Sequence, residues 1–290
     1  MRIFNLPEIS AIYYALLQCG YPYYALDRDA SLVEAIERFQ LPPDSFDTSF
    51  FSEARQNSCE AYKYWPRAAL LEDAAFLINR SSTHQLDFDI YRDLVMGASN
   101  LTESDRNHLF WKWVAAFPSA LNCVLNSENF KTYFRWESKW IKQQNSAFSN
   151  NLIQLQKILD KCIKYYPTSV QKVSLFLNPI KCACSADYHI KEDCLFFSSG
   201  AFRESAVLHE FLHVPVHRCI RDNREQIVRH LKQLRIYPDM DRSYELSGDV
   251  SGTLNVFEEY AVRRLTEAIL RDEMPEDLNL FLRKAAEQMI

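Results

Sequence analysis

Apolar residues recur at helical spacing through most of the first 165 residues of the chain. Asn5 is placed to cap a first helix, and Gly20 stands where a glycine commonly ends one. A longer amphipathic stretch covers residues 129–165, with a break near residues 145–151. The spacing therefore predicts a helical region over residues 1–165.

The periodicity changes after Pro167, because apolar and polar residues alternate from Val173 to Leu177 and predict a strand. Residues 188–198 form a second extended segment, and helical spacing returns from Phe202. Further helices are predicted at residues 224–237, 251–271 and 276–289. The predicted fold class is α+β and mostly α-helical, with a domain boundary between residues 165 and 166.

Glycine is scarce, with 5 residues in a chain of 290, where about 7% is usual. Neither a Gly-rich dinucleotide-binding motif nor a P-loop is present in the sequence. A sandwich with many tight turns is also disfavoured, since such turns need glycine. The composition thus supports the helical prediction and excludes two common nucleotide-binding motifs.

Charge and hydropathy narrow the set of expected partners. The chain carries 33 basic and 38 acidic residues, a net charge of −5, without a basic stripe, so no nucleic acid is expected to bind. No apolar run reaches the roughly 18 residues of a membrane span. The N-terminus lacks the pattern of a signal peptide, so a cytoplasmic location is expected, with non-classical export left open. The helical N-terminal region is a candidate surface for a protein partner.

The strongest chemical signal is an H-E-x-x-H motif formed by His209, Glu210 and His213 on a predicted helix. Residues four apart lie on one face of a helix, so the two imidazoles can bind a single Zn²⁺. Glu210 is positioned to accept a proton from water that zinc has acidified. This pattern predicts a zinc centre with Glu210 as general base.

A third protein ligand is expected on the helix over residues 251–271. Apolar residues define one face of this helix, and Glu258 falls near that face. Glu259 falls on the opposite side, where Arg263 is an i+4 partner. Because a buried carboxylate is costly without a cation, Glu258 is the first choice for the third ligand. Glu259 is an alternative.

His217 is the other alternative for the third ligand. In a continuous helix it would lie roughly 12 Å along the axis from His209, too far to share one ion. Pro215 lies between the two histidines, and a proline can end or kink a helix. His217 therefore becomes a ligand only if the chain folds back at Pro215.

The H-E-x-x-H motif with a glutamate on a later helix resembles the zincin metallopeptidases, in the gluzincin arrangement. The resemblance implies a metallohydrolase domain over residues 166–290, with a small antiparallel-edged sheet beside the active-site helix. It also implies cleavage of a peptide bond in a peptide or protein substrate. A tyrosine or histidine commonly polarises the carbonyl in this group, and Tyr244 and His230 are candidates. Two alternatives remain: a zinc hydrolase of non-peptide amides or esters, and a helical interaction protein with a structural or vestigial zinc site.

Overall fold

The computed structural model describes residues 1–42, 47, 49–53, 68, 71–72, 74–76, 116–231 and 250–289. Within these residues the fold is mostly helical α+β with one small mixed sheet of four strands, which confirms the predicted fold class. None of the helices in these ranges combines the length and the apolar composition that a membrane-spanning segment requires.

Eight helices in the described residues are labelled in chain order. They are α1 (Pro7–Gln18), α2 (Ala30–Glu37), α3 (Glu128–Ala147), α4 (Ser149–Tyr165), α5 (Glu204–Asp222), α6 (Arg224–Leu231), α7 (Val250–Leu270) and α8 (Leu278–Gln288). A short 3-10 turn covers Tyr23–Ala25, and residues 116–126 are also helical. The predicted break in the long amphipathic stretch is confirmed, since Phe148 separates α3 from α4.

The N-terminal boundary of α1 differs from the prediction. Leu6 is the residue that precedes the helix, and no side chain caps it. The Asn5 amide instead donates to Glu137 Oε2 at 3.3 Å and to Ser138 Oγ at 3.0 Å. The buried carboxyl group of Glu137 on α3 takes this side chain as a hydrogen-bond donor, so the predicted cap at Asn5 is wrong. Gly20 follows the helix with φ of 76°, as expected for a glycine at a helix end.

The sheet has the strand order β1-β2-β4-β3. Its strands are β1 (Ile3–Phe4), β2 (Lys172–Leu177), β3 (Ala186–Lys191) and β4 (Cys194–Ser199). The β1–β2 and β2–β4 pairs are parallel, whereas β3 pairs with β4 in the antiparallel direction. The expected antiparallel edge strand is therefore β3. Because β1 pairs with β2, backbone hydrogen bonds cross the predicted domain boundary, and that boundary stays a prediction.

The single extended segment predicted over residues 188–198 is a hairpin of β3 and β4. Glu192 and Asp193 form its turn, and Glu192 has φ of 56°. Neither residue is the asparagine or glycine that usually occupies such a position. Asp193 is therefore the only residue of this turn that favours a turn, and the signal in the sequence is weak.

The sheet separates two apolar clusters. Leu175, Leu195 and Phe197 pack with α4, α5 and α7 on one face. Phe176 and Phe196 pack against the cluster that contains α1 and part of α3 on the other face. This division places α5 directly against the sheet, beside the edge strand β3.

Candidate metal centre

Helix α5 presents the H-E-x-x-H motif between α7 and strand β3. The residues Val207, Leu208, Phe211 and Leu212 are fully buried and fix the rotation of α5 against its neighbours. The row that contains His209 and His213 consequently turns toward α7. The helix runs without interruption through Pro215 to Asp222, so the chain does not fold back there.

His209, His213 and Glu259 bring three ligand atoms together. The Nε2 atoms of the two histidines are 3.2 Å apart. Glu259 places Oε2 3.5 Å from His209 Nε2 and Oε1 3.3 Å from His213 Nε2. Among the described residues this is the one group of at least three histidine, cysteine, aspartate or glutamate side chains whose ligand atoms lie within 4.8 Å of one another.

These distances fit a zinc ion. Zinc bonds of ~2.0–2.1 Å in a tetrahedral site place neighbouring ligand atoms about 3.3–3.4 Å apart. The Nε2–Nε2 separation of 3.2 Å agrees with that spacing, and each carboxylate oxygen of Glu259 lies 3.3 or 3.5 Å from one of the two Nε2 atoms. Two imidazoles and one carboxylate are also a donor set that zinc uses in hydrolytic sites. The donors present therefore suit zinc in both chemistry and spacing.

Glu258 contacts the opposite side of the His213 ring. Its Oε1 lies 2.9 Å from His213 Nδ1, and its Oε2 lies 2.9 Å from His217 Nδ1. A carboxylate that accepts a hydrogen bond from Nδ1–H favours the neutral tautomer in which Nε2 of His213 carries no proton and can bind a metal. The ring of Tyr188 on β3 stacks on the His213 ring, with 6.0 Å between centroids and 15° between planes. Contacts with Glu258, Tyr188 and Glu259 therefore hold the His213 ring on three sides.

The electrostatics of the centre favour a bound cation. Burial lowers the pKa of His213, but hydrogen bonds to Glu258 and Glu259 outweigh it and raise this pKa to about 9. Hydrogen bonds from His209 and His213 hold the pKa of Glu259 well below its ordinary value. Arg263 Nε lies 3.8 Å from Glu259 Oε2, at the exposed rim. The carboxylates thus concentrate negative charge around the two Nε2 atoms.

The other predicted site residues have different positions. Glu210 is half-buried and close enough to His213 to raise its pKa through charge. The His217 side chain is 66% exposed, and its contact is with Glu258. Tyr244 lies outside the described residues, and so does the side chain of His230, although its backbone belongs to α6.

Sequence reasoning ranked Glu258 above Glu259 and did not identify Tyr188. The helical wheel correctly indicated that Glu258 faces inward, since its side chain is 14% exposed. Glu259, expected on the solvated side, is 26% exposed and reaches the Nε2 atoms from the edge of the interface. Alternation along β3 could have suggested Tyr188, because an outward-facing aromatic side chain on an edge strand suits contact with a neighbouring helix.

Comparison with known proteins finds no family model that matches this chain, and no curated protein or solved structure matches it either. A possible metal-binding triad is thus the feature that bears on function.

Proposed function

We propose that the protein is a zinc-dependent hydrolase that cleaves peptide bonds, with His209, His213 and Glu259 as the metal ligands. The observation that carries the proposal is that each of these three side chains offers one ligand atom, with these atoms all within 4.8 Å of one another and the two histidine Nε2 atoms 3.2 Å apart. The H-E-x-x-H motif adds a carboxylate, Glu210, on the same helix.

Zinc bound by such a triad lowers the pKa of water toward about 7 and polarises a carbonyl group. Glu210 accepts the proton of the attacking water and then gives it to the leaving nitrogen. Glu258 orients His213 throughout by accepting a hydrogen bond from its Nδ1–H group. The protein's own side chains therefore have two roles in this mechanism: Glu210 transfers the proton, and Glu258 aligns the ligand His213.

Strand β3 supports a peptide as the substrate. It is the last strand of the sheet in the described part of the chain, so one of its edges has no strand partner there. Tyr188 and Ile190 on this strand are 36% and 46% exposed. An extended peptide can add to such an edge through main-chain hydrogen bonds. Tyr188 stacks on His213, so a peptide on this strand would lie near the metal ligands.

Metal analysis combined with one catalytic variant tests the proposal. Purified protein should bind one equivalent of zinc and hydrolyse members of a peptide library, and a chelator should abolish the activity. Glu210→Gln should keep the zinc while activity falls by about 10²–10⁴-fold. Glu225→Gln is the matched control, because Glu225 is an exposed glutamate on α6.

Three results would overturn parts of the proposal. Protein without stoichiometric zinc affinity would exclude the metal centre. Unchanged hydrolysis in Glu210→Gln would exclude Glu210 as the base. Turnover of small amides or esters with no turnover of any peptide would exclude the peptidase assignment while keeping the zinc hydrolase.

A further inference from the structure

A cavity of about 830 Å³ lies apart from the metal ligands, where α3 faces α2 and the chain that leads into α5. Its size is within the range of about 300–1,000 Å³ that is typical of small-molecule sites. None of the proposed zinc ligands lines it. The cavity is therefore a second, separate candidate site.

Aromatic side chains form much of its wall. Trp136 and Trp140 stand four residues apart on one face of α3, and both line the cavity. Phe148 and Phe202 add a second surface, with their ring centroids 5.0 Å apart. Flat apolar walls of this kind favour a ligand with a flat apolar body.

Arg28 gives the cavity a fixed cation. Its Nη2 donates to the carbonyl oxygens of Lys181 at 2.9 Å and Gly200 at 2.7 Å, which anchors the guanidinium. Its Nε is shielded from solvent and has no hydrogen-bond partner. No carboxylate within the described ranges forms an ion pair with it, although a desolvated charge is costly without one. An anionic ligand group would remove that cost.

The other charged residues at the cavity indicate the net charge of that anion. Asp27 is occupied by an ion pair with Arg203. The described lining residues that remain are Arg28 and Lys139 against Asp29, an excess of one positive charge. A monoanion such as a carboxylate matches this excess better than a doubly charged phosphate does.

We propose that this cavity binds a small organic carboxylate with a flat apolar body. The carboxylate accepts hydrogen bonds from Arg28 and is attracted by Lys139. The body of the ligand lies between the two tryptophans and the pair of phenylalanines. The site is independent of the proposed zinc chemistry, and its test needs no catalytic readout.

Calorimetric titration of the full chain tests the ligand class. Phenylpropionate and indoleacetate are the probes, and both should bind saturably; phenylpropionate should also change the tryptophan fluorescence. Phenylpropanamide, which has the same body without the charge, should bind about tenfold more weakly. Phenyl phosphate should bind no more tightly than the acids.

Variants test the residues. Lys139→Ala should weaken binding of phenylpropionate by about threefold, since Lys139 is exposed and contributes mainly long-range attraction. Arg28→Gln and Trp136→Leu should each weaken it by about tenfold or more. The controls are Lys142→Ala and Arg135→Gln, which change exposed residues of α3 outside the cavity. Urea unfolding of each variant separates loss of binding from loss of folding.

Several outcomes would overturn the proposal. One is the absence of saturable binding by either acid up to about 10 mM. Equal affinity for the acid and its amide would exclude recognition of a carboxylate. Tighter binding of phenyl phosphate would exclude the preference for a monoanion. Equal affinities in Lys139→Ala and Lys142→Ala would remove Lys139 from the site, and the lysine pair keeps the test valid even if Arg28→Gln fails to fold.

Discussion

The two nitrogens of His213 meet different carboxylates, and this difference predicts which glutamate is a metal ligand and which one positions the imidazole. Glu259 approaches Nε2, the atom that also faces His209, whereas Glu258 approaches Nδ1. We expect Glu259→Gln to abolish stoichiometric zinc binding. Glu258→Gln should keep the zinc but lower its affinity by about 10–100-fold, as for other partners of metal-bound histidines.

Zinc affinity measured by competition with a chelator distinguishes the two glutamates. His217→Ala is the control, because this exposed side chain touches Glu258 rather than the group of three. Full zinc occupancy in Glu259→Gln together with its loss in Glu258→Gln would return the third-ligand role to Glu258. Loss in His217→Ala alone would assign it to His217.

A second residue-scale prediction concerns Glu137, which is fully buried on α3. Burial raises its pKa from 4.5 to about 8, although hydrogen bonds to the carboxyl oppose the shift. A carboxyl whose pKa is higher in the folded state stabilises the fold at low pH. That contribution falls as pH rises from about 4.5 to about 8.

Urea unfolding at several pH values checks this dependence. Between about pH 5 and about pH 8 the free energy of unfolding of Glu137→Gln should rise relative to wild type, by on the order of 3 kcal/mol. Other titrating groups are common to both proteins and cancel in the difference. A difference that does not change with pH would show that Glu137 is ionised in the folded protein.

The motif on α5 was predictable residue by residue because spacing along one helix determines which side chains share a face. The choice between Glu258 and Glu259 was not, because both lie within reach of α5. Which imidazole nitrogen each carboxylate meets depends on the axial position of α7 relative to α5. Hydrophobic periodicity encodes the rotation of a helix and carries no information about that axial position.

At the scale of elements, Gly200 is the position where the chain leaves β4 for α5. A Cβ atom there would lie 2.1 Å from the carbonyl oxygen of Lys181 and 2.5 Å from that of Cys182. Both contacts are with backbone, which cannot move aside as a flexible side chain can. Gly200→Ala should therefore lower the free energy of unfolding by about 3 kcal/mol.

Urea denaturation of Gly200→Ala beside Gly20→Ala measures this effect against a control. Gly20 has φ of 76°, so its substitution carries the cost of a left-handed backbone, about 1 kcal/mol. A loss in Gly200→Ala no larger than in Gly20→Ala would show that β4 and the Lys181 segment separate easily.

Elements with a clear hydrophobic periodicity were predictable from the sequence. Boundaries and turns that depend on contacts with distant residues were not. The break between α3 and α4 and the strand β2 follow local patterns. The hairpin turn at Glu192 and the start of α1 do not. In the first case Asp193 is present but neither glycine nor asparagine is, and in the second Asn5 hydrogen-bonds Glu137, which lies 132 residues away in the chain.

At the scale of the whole molecule, a buried group of charges joins distant parts of the chain. Lys181 Nζ lies 2.6 Å from Glu72 Oε1 and 2.7 Å from Asp187 Oδ2, and all three side chains are almost fully buried. His189 Nε2 lies 3.1 Å from Glu72 Oε2. Burial opposes ionisation of Glu72, but Lys181 and His189 outweigh it and hold its pKa well below the ordinary value. The lysine therefore balances carboxylates from both sides of the predicted domain boundary.

Lys181→Met would leave the carboxylates of Glu72 and Asp187 buried without their cation, which costs about 3–5 kcal/mol of stability. Lys172→Met is the control, because Lys172 is a lysine of β2 whose side chain is 73% exposed, and its loss should cost less than about 1 kcal/mol. A double-mutant cycle with Glu72→Gln then measures the coupling. Since the two groups are in contact, the double variant should lose less than the sum of the single losses by at least about 1 kcal/mol. Additive losses would mean that Lys181 and Glu72 stabilise the fold separately, and the two halves of the chain would then be joined by apolar packing and the β1–β2 pairing instead.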